Sequence, residues 1–145
     1  DALRLWLRLF TCSTMIAQHV GSALKREFGS SLPRFDLLAQ LDRAPEGLRM
    51  GELSERTLAT GGNITWLVGA LEREGLVTRR VVDTDRRAAI VRLTPAGRRH
   101  FAVMARAHER WITSLFSSLT SQERKTLHAL LGTVKQGFRP KRTPE

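Results

Sequence analysis

The sequence is poorest in residues that would give it a chemistry of its own. Among its 145 residues there is one cysteine, no tyrosine, three tryptophans and six phenylalanines. A lone cysteine cannot close an internal disulfide, so the fold must hold without covalent staples, and a reducing cytoplasm is the simplest setting. His19, His100, His108 and His128 never fall four residues apart and no carboxylate cluster accompanies them, which argues against a bound metal. No glycine-rich phosphate loop, Gly-x-Ser-x-Gly elbow or pair of catalytic carboxylates occurs, so neither an enzyme nor a cofactor carrier is indicated. The longest run without a polar side chain, Trp66 to Leu71, is far too short to span a bilayer, and no basic-then-apolar signal segment opens the chain. Without repeats or long linkers, this length suits one compact domain with a real core.

Positive charge is what the chain has in excess, with a formal net charge of +10. It is unevenly placed. From Arg79 to His100 seven arginines face only Asp83 and Asp85, whereas Pro45 to Val77 holds three basic and five acidic residues. A polyanionic partner follows, and basicity alone suits DNA, RNA or an acidic membrane surface.

Residues 50 to 93 carry the pattern that chooses among these. Ile64, Leu67, Val68 and Leu71 recur at i, i+3, i+4 and i+7, placing them on one buried face of a helix from about Gly61 to Glu74. Its opposite face carries Gly62, Asn63, Thr65, Trp66 and Arg73. Gly51 to Leu58 makes a shorter helix ahead of it, with Leu53 and Leu58 facing inward and Ala59-Thr60-Gly61 as the turn. Gly75 ends the second helix with a left-handed-capable residue. Val77–Val82 and Ala88–Leu93 then form two β-rich runs around Asp83-Thr84-Asp85-Arg86-Arg87, a hairpin with two arginines at its tip. Such a tip suits a narrow minor groove, where negative potential is concentrated, and Asp85 is placed to hold the Arg87 fork; a solvated basic turn is the plainer reading. Asn63 and Thr65 have the chemistry for base or phosphate contact, and Trp66 can stack on a thymine methyl or a sugar, or pack on the preceding helix. Gly69, costly inside a helix, fits close backbone approach to phosphate or simple tolerance.

Long amphipathic helices flank this head. Leu3, Leu7, Phe10, Thr14, Ala17, Gly21, Leu24 and Phe28 alternate spacings of four and three along a helix from about Ala2 to Phe28, with Trp6, Leu9, Ile16 and Val20 as a second apolar edge. The next helix begins near Pro33 and carries Phe35, Leu37, Leu38 and Leu41; Pro45-Glu46-Gly47 turns, and Leu48-Arg49-Met50 offers a short extra strand. Thr94 and Pro95 cap and start a helix of about 25 residues reaching Leu119, which at about 1.5 Å per residue exceeds the needs of one small core. A capping box at Thr120–Glu123 opens a last helix bearing Leu127, Leu130, Leu131, Val134 and Phe138. Spare apolar surface at both ends argues for an intertwined homodimer, whose two heads would read an inverted repeat with half-sites about 10 base pairs apart or a multiple of that turn.

Leu53-Ser54, Gly61-Gly62-Asn63-Ile64-Thr65, Leu71 to Val77, Asp85-Arg86-Arg87 and Val91 to Gly97, in this order and spacing, resemble the MarR family of bacterial winged-helix regulators over almost the whole chain. The fold implied is mainly α with a small β wing: a single domain over residues 1–145, a winged helix-turn-helix at 33–93, and dimerisation helices at 1–28 and 95–138. The resemblance implies a homodimer on palindromic double-stranded DNA, usually a repressor released by a small molecule. The DNA-binding residues would be Thr60, Gly62, Asn63, Thr65, Trp66, Asp85, Arg86 and Arg87. Trp66 departs from the smaller or more polar residue usual there.

The family's effector pocket lies between the dimerisation helices and the head. Here it would draw on Arg8, Phe10, Met15, His19, Arg34, Phe35, Leu38 and Trp111, each of which also has a plain core or surface reading. Leu32 to Pro45, together with Gly61 to Thr65, is similar to the subgroup sensing aromatic acyl-CoA thioesters such as hydroxycinnamoyl-CoA, and Arg8 or Arg34 would suit the CoA phosphates. A peroxide-sensing branch uses a first-helix cysteine activated by tyrosine hydroxyls. With no tyrosine here and only Arg8 one turn away, Cys12 reads as an inert, partly buried thiol. Outside the regulators, a winged helix for protein association or sequence-neutral nucleic-acid packaging would share this composition.

Overall fold

The computed structural model describes residues 1–57, 61–81 and 89–138. Their elements run α1 (Ala2–Phe28), α2 (Leu32–Asp42), β1 (Leu48–Arg49), α3 (Met50–Arg56), α4 (Gly61–Arg73), β2 (Val77–Val81), β3 (Ala89–Leu93), α5 (Pro95–Leu115) and α6 (Ser121–Gln136). They form two compact units, Asp1–Glu109 and Arg110–Glu145, with the residues of α5 divided between them. The winged helix-turn-helix lies wholly in the first.

Local chemistry sets most of these boundaries. Ser31 accepts from the Arg34 backbone N–H at the start of α2, where Pro33 has no donor to lose. The Arg49 N–H donates to Glu52 Oε2 at 2.8 Å where β1 passes into α3. At the end of α4 the Gly75 N–H donates to Glu72 O and the Leu76 N–H to Leu71 O, with Gly75 at φ 72°. This paired closure needs a left-handed residue, which glycine supplies without steric cost. The turn aims the chain straight into β2.

The sheet is antiparallel in the order β1-β3-β2. Val77 pairs with Leu93 and Val81 with Ala89, which bears out the antiparallel pairing of the two runs, and Leu48 pairs with Val91 in the short extra strand, which ends at Arg49 because Met50 already opens α3; Val82 and Ala88 lie outside the described residues. Burial alternates along β3, where Ala89, Val91 and Leu93 are buried and Ile90 and Arg92 half-buried, whereas in β2 Val77 is buried and Thr78, Arg79, Arg80 and Val81 are all exposed. The core beneath joins Val20, Ala23 and Leu24 of α1 to Leu37, Leu38 and Leu41 of α2, Leu53 of α3, the α4 stripe, and Met104 and Ala107 of α5.

Two expectations are corrected. The helix expected to reach Leu119 stops at Leu115: the Ser117 N–H and hydroxyl both donate to Ser114 O, and the Leu119 N–H donates to Phe116 O, so three-residue turns replace the ladder. Cys12 is exposed rather than partly buried. The capping box at Thr120 forms as expected, with Glu123 Oε2 accepting from the Thr120 N–H at 2.7 Å.

Candidate nucleic-acid interface

Helix α4 divides cleanly into two faces. Ile64, Leu67, Val68 and Leu71 are buried, and Asn63, Thr65, Trp66 and Arg73 are exposed. Trp66 keeps 65% of its surface open, so the option of packing on the preceding helix is not taken. Gly62 lies in the first turn of α4. Thr60, Asp85, Arg86 and Arg87 lie outside the described residues, as does Leu58 of the expected inward-facing pair.

Two ion pairs fix the C-terminal end of this helix to its surroundings, and neither was foreseen. Arg34, near the start of α2, donates both terminal nitrogens to the Glu74 carboxylate just beyond α4, one of them at 2.7 Å to Oε1. Glu72 meets Arg79 of β2 at 3.3 Å, linking α4 to the sheet. Opposite charges flanking the Gly75 turn were the available signal for the second pair; forty residues separate the partners of the first. A third arginine, Arg92, donates Nε to Glu46 O at 2.6 Å and so ties β3 to the turn before β1. Arg79 and Arg92 are therefore paired with acids of this chain at its surface, and Arg80, Arg98 and Arg99 are exposed.

The Arg34 hydrogen bonds, followed by the nearby arginine charge, hold the Glu74 carboxyl below the usual carboxylate range despite an opposing desolvation cost. A depressed folded value means that the contribution to stability is complete above the ordinary carboxylate pKa and is lost as pH falls through the depressed one. Glu74→Gln is therefore expected to lower Tm at neutral pH, with the gap to the parent closing once pH drops below about 4. Thermal melts at pH 7 and pH 3 check this; an equal gap at both would show that Glu74 acts without its charge.

The expected effector residues occupy several environments. Phe35 and Leu38 are buried in the core of the first unit, where Phe35 packs on Phe101 with centroids 5.5 Å apart and on His108 at 4.6 Å. Burial pushes His108 below the ordinary imidazole range, favouring the neutral ring that this packing requires. Arg34 is engaged by Glu74, its Nε buried without a partner. Arg8 lines a shallow groove on α1 with Arg4, Leu7, Thr11 and Cys12. Phe10, Met15 and His19 are exposed on α1, and Phe10 lies 5.5 Å from the Trp6 ring. Trp111 is half-buried in the second unit. That unit has its own apolar groove of about 780 Å³, lined by Ile112, Phe116, Arg124, Leu127, His128 and Leu131 among others, but by none of the eight expected residues. Among the described residues no group of three or more His, Cys, Asp or Glu is placed to hold a metal, and no helix is long and apolar enough to cross a membrane.

Comparison with known proteins agrees with this geometry. The sequence profile of the MarR family matches residues 28–88. The transcriptional activatory protein BadR of Rhodopseudomonas palustris is 31% identical over 106 residues, covering 72% of this chain but only 60% of BadR. A MarR family transcriptional regulator from Silicibacter pomeroyi superposes with a TM-score of 0.81 at 30% identity, covering 95% of both chains. A Streptomyces coelicolor family member, crystallised in complex with DNA, gives a TM-score of 0.82 at 26% identity over 96% of this chain and 88% of its own. These relatives are transcriptional regulators and not enzymes. With the helix-turn-helix, the antiparallel wing and these similarities in place, the chain belongs to the MarR family of winged-helix transcriptional regulators.

Proposed function

We propose that this protein works as a homodimer on an inverted-repeat operator, each head laying α4 in the major groove and the Arg86-Arg87 hairpin tip along the flanking minor groove. The observation that carries the reading is the polarity of α4: an apolar back locked into the core and an outward face of Asn63, Thr65, Trp66 and Arg73 left open. The net charge of +10 supplies the long-range attraction. The DNA-bound Streptomyces relative supports the same partner.

Selection from random duplexes, followed by a salt series on the winning sequence, tests this. A palindromic winner is expected, with affinity falling steeply as salt rises. Arg87→Ala is expected to flatten that dependence by about one phosphate contact, and Asn63→Ala to relax sequence preference. A binder with no preferred sequence would instead be a packaging or association module.

Regulation by a small aromatic ligand or its CoA thioester is the reading we favour for control, with repression relieved on binding. Arg34 supports it: a ligand phosphate competing for this guanidinium would free Glu74 and loosen the end of α4. Release of promoter DNA by a thioester but not by its free acid is the outcome to look for. BadR is by name an activatory protein, which favours a second reading in which the bound state promotes transcription; a promoter fusion in cells with and without the gene decides the sign. The exposed Cys12, in a groove with Arg4 and Arg8, supports thiol-oxidation sensing as the rival form of control. Loss of a peroxide response in Cys12→Ser would establish it.

A further inference from the structure

The outward face of α4 has a centre line. At about 100° per residue, the buried Ile64, Leu67, Val68 and Leu71 centre on one side of the helix, and positions 62, 66, 69 and 73 fall diametrically opposite. Asn63 and Thr65 lie to either flank of that line. The residues along it are Gly62, Trp66, Gly69 and Arg73, so the bulkiest side chain of the helix stands between two positions without any. No ring contact or hydrogen bond holds the indole among the described residues, and it is 65% exposed while every other large apolar residue of α4 is buried. A Cβ placed on Gly69 would touch only Arg73 Nη1, at 3.6 Å. Nothing among the described residues therefore requires either the exposed indole or the bare position one turn beyond it.

We propose that Trp66 reads the 5-methyl group of a thymine in each half-site. This rests on the DNA-binding reading above and names what the centre of that face recognises. An indole has a single N–H and no acceptor, so it cannot match a base edge by paired hydrogen bonds. The thymine methyl is the one apolar feature that base edges present in the major groove. Gly69 lets the helix axis sit close enough to the groove floor for that contact, and Arg73 lies over Gly69 in reach of the next phosphate or guanine edge. Covering the methyl removes apolar surface of both partners from water, a gain that a cytosine, lacking the methyl, does not return.

The test uses the full chain and the duplex recovered by random-sequence selection, with each thymine replaced in turn by deoxyuridine, which deletes only the methyl. One thymine per half-site is expected to matter: its replacement weakens binding about fourfold, the worth of one buried methyl-sized group, and roughly fifteenfold when both half-sites are changed. In Trp66→Gln the overall affinity falls and the same replacement has no further effect. Circular dichroism checks that this exposed variant is folded. Equal sensitivity to uracil in parent and variant would overturn the proposal, because another residue would then be reading the methyl. Selective binding by the parent with no methyl dependence at any thymine would also overturn it while leaving the regulator reading intact. Absence of any preferred sequence would overturn both.

Discussion

Gly97→Ala is expected to destabilise the first unit by about 3 kcal/mol or more, although it adds only one methyl group. The reason is a backbone crossing. A Cβ at Gly97 would lie 2.0 Å from the Leu76 carbonyl oxygen and 2.9 Å from its carbon, so backbone rather than a flexible side chain must move. The same oxygen already accepts from the Thr94 N–H at 3.0 Å. Thr94 completes the joint: its hydroxyl donates to Gly75 O at 2.7 Å and accepts from the Gly97 N–H at 2.9 Å. Pushing α5 away from Leu76 would strain three hydrogen bonds at once, immediately beyond the end of α4. Urea denaturation should show the loss, with the exposed neighbour Ala96→Gly as a control for helix propensity. A Gly97→Ala variant as stable as the parent would mean that the crossing relaxes freely.

The second large effect is expected from the first helix. Leu3, Leu5, Trp6, Leu7 and Phe10 are each more than half exposed, and at about 100° per residue Leu3, Trp6, Leu7 and Phe10 share one face of α1, an exposed apolar stripe suited to a subunit contact. Leu7→Glu combined with Phe10→Glu leaves the core untouched, because α1 contributes to it only through Val20, Ala23 and Leu24. Light scattering is expected to report a monomer, and circular dichroism a folded one. For the homodimer proposed above, operator affinity should fall by about 10²–10⁴, since the second head would then bind as a separate molecule rather than at the effective concentration set by its partner. A variant that stays dimeric would place the subunit contact elsewhere.

Helix α4 and the wing were legible because each rests on a short-range sequence signal. Four apolar residues at helical spacing identified the buried face, and Gly75 marked its end within a residue. β-rich composition did the same for the runs that fold as Val77–Val81 and Ala89–Leu93. The overestimated α5 shows the limit of that method: Leu115, Phe116 and Leu119 continue the apolar stripe, but side-chain hydrogen bonding at Ser117 competes with the helix, and periodicity does not register such competition. The Arg34–Glu74 fork and the Gly97 crossing were not legible at all. Both depend on which helix ends meet in space, and neither charge nor glycine content carries that information across tens of residues. For the site itself, residue types on the outward face of α4 were readable, but their ranking was not. The isolation of the Trp66 indole, with Asn63 and Thr65 flanking it, comes from exposure and helix phase together.

The knot formed by Gly75, Leu76, Thr94 and Gly97 also bears on how such a protein can diverge. It clamps the chain just before β2 and just after β3, so the hairpin leaves and returns through a single pinned doorway. Residues may be added, removed or exchanged at the far end of that excursion without altering the angle at which α4 meets the core. In the binding mode proposed above, lineages or protein engineers could therefore trade one wing for another and retune grip on flanking DNA while leaving base reading as it was.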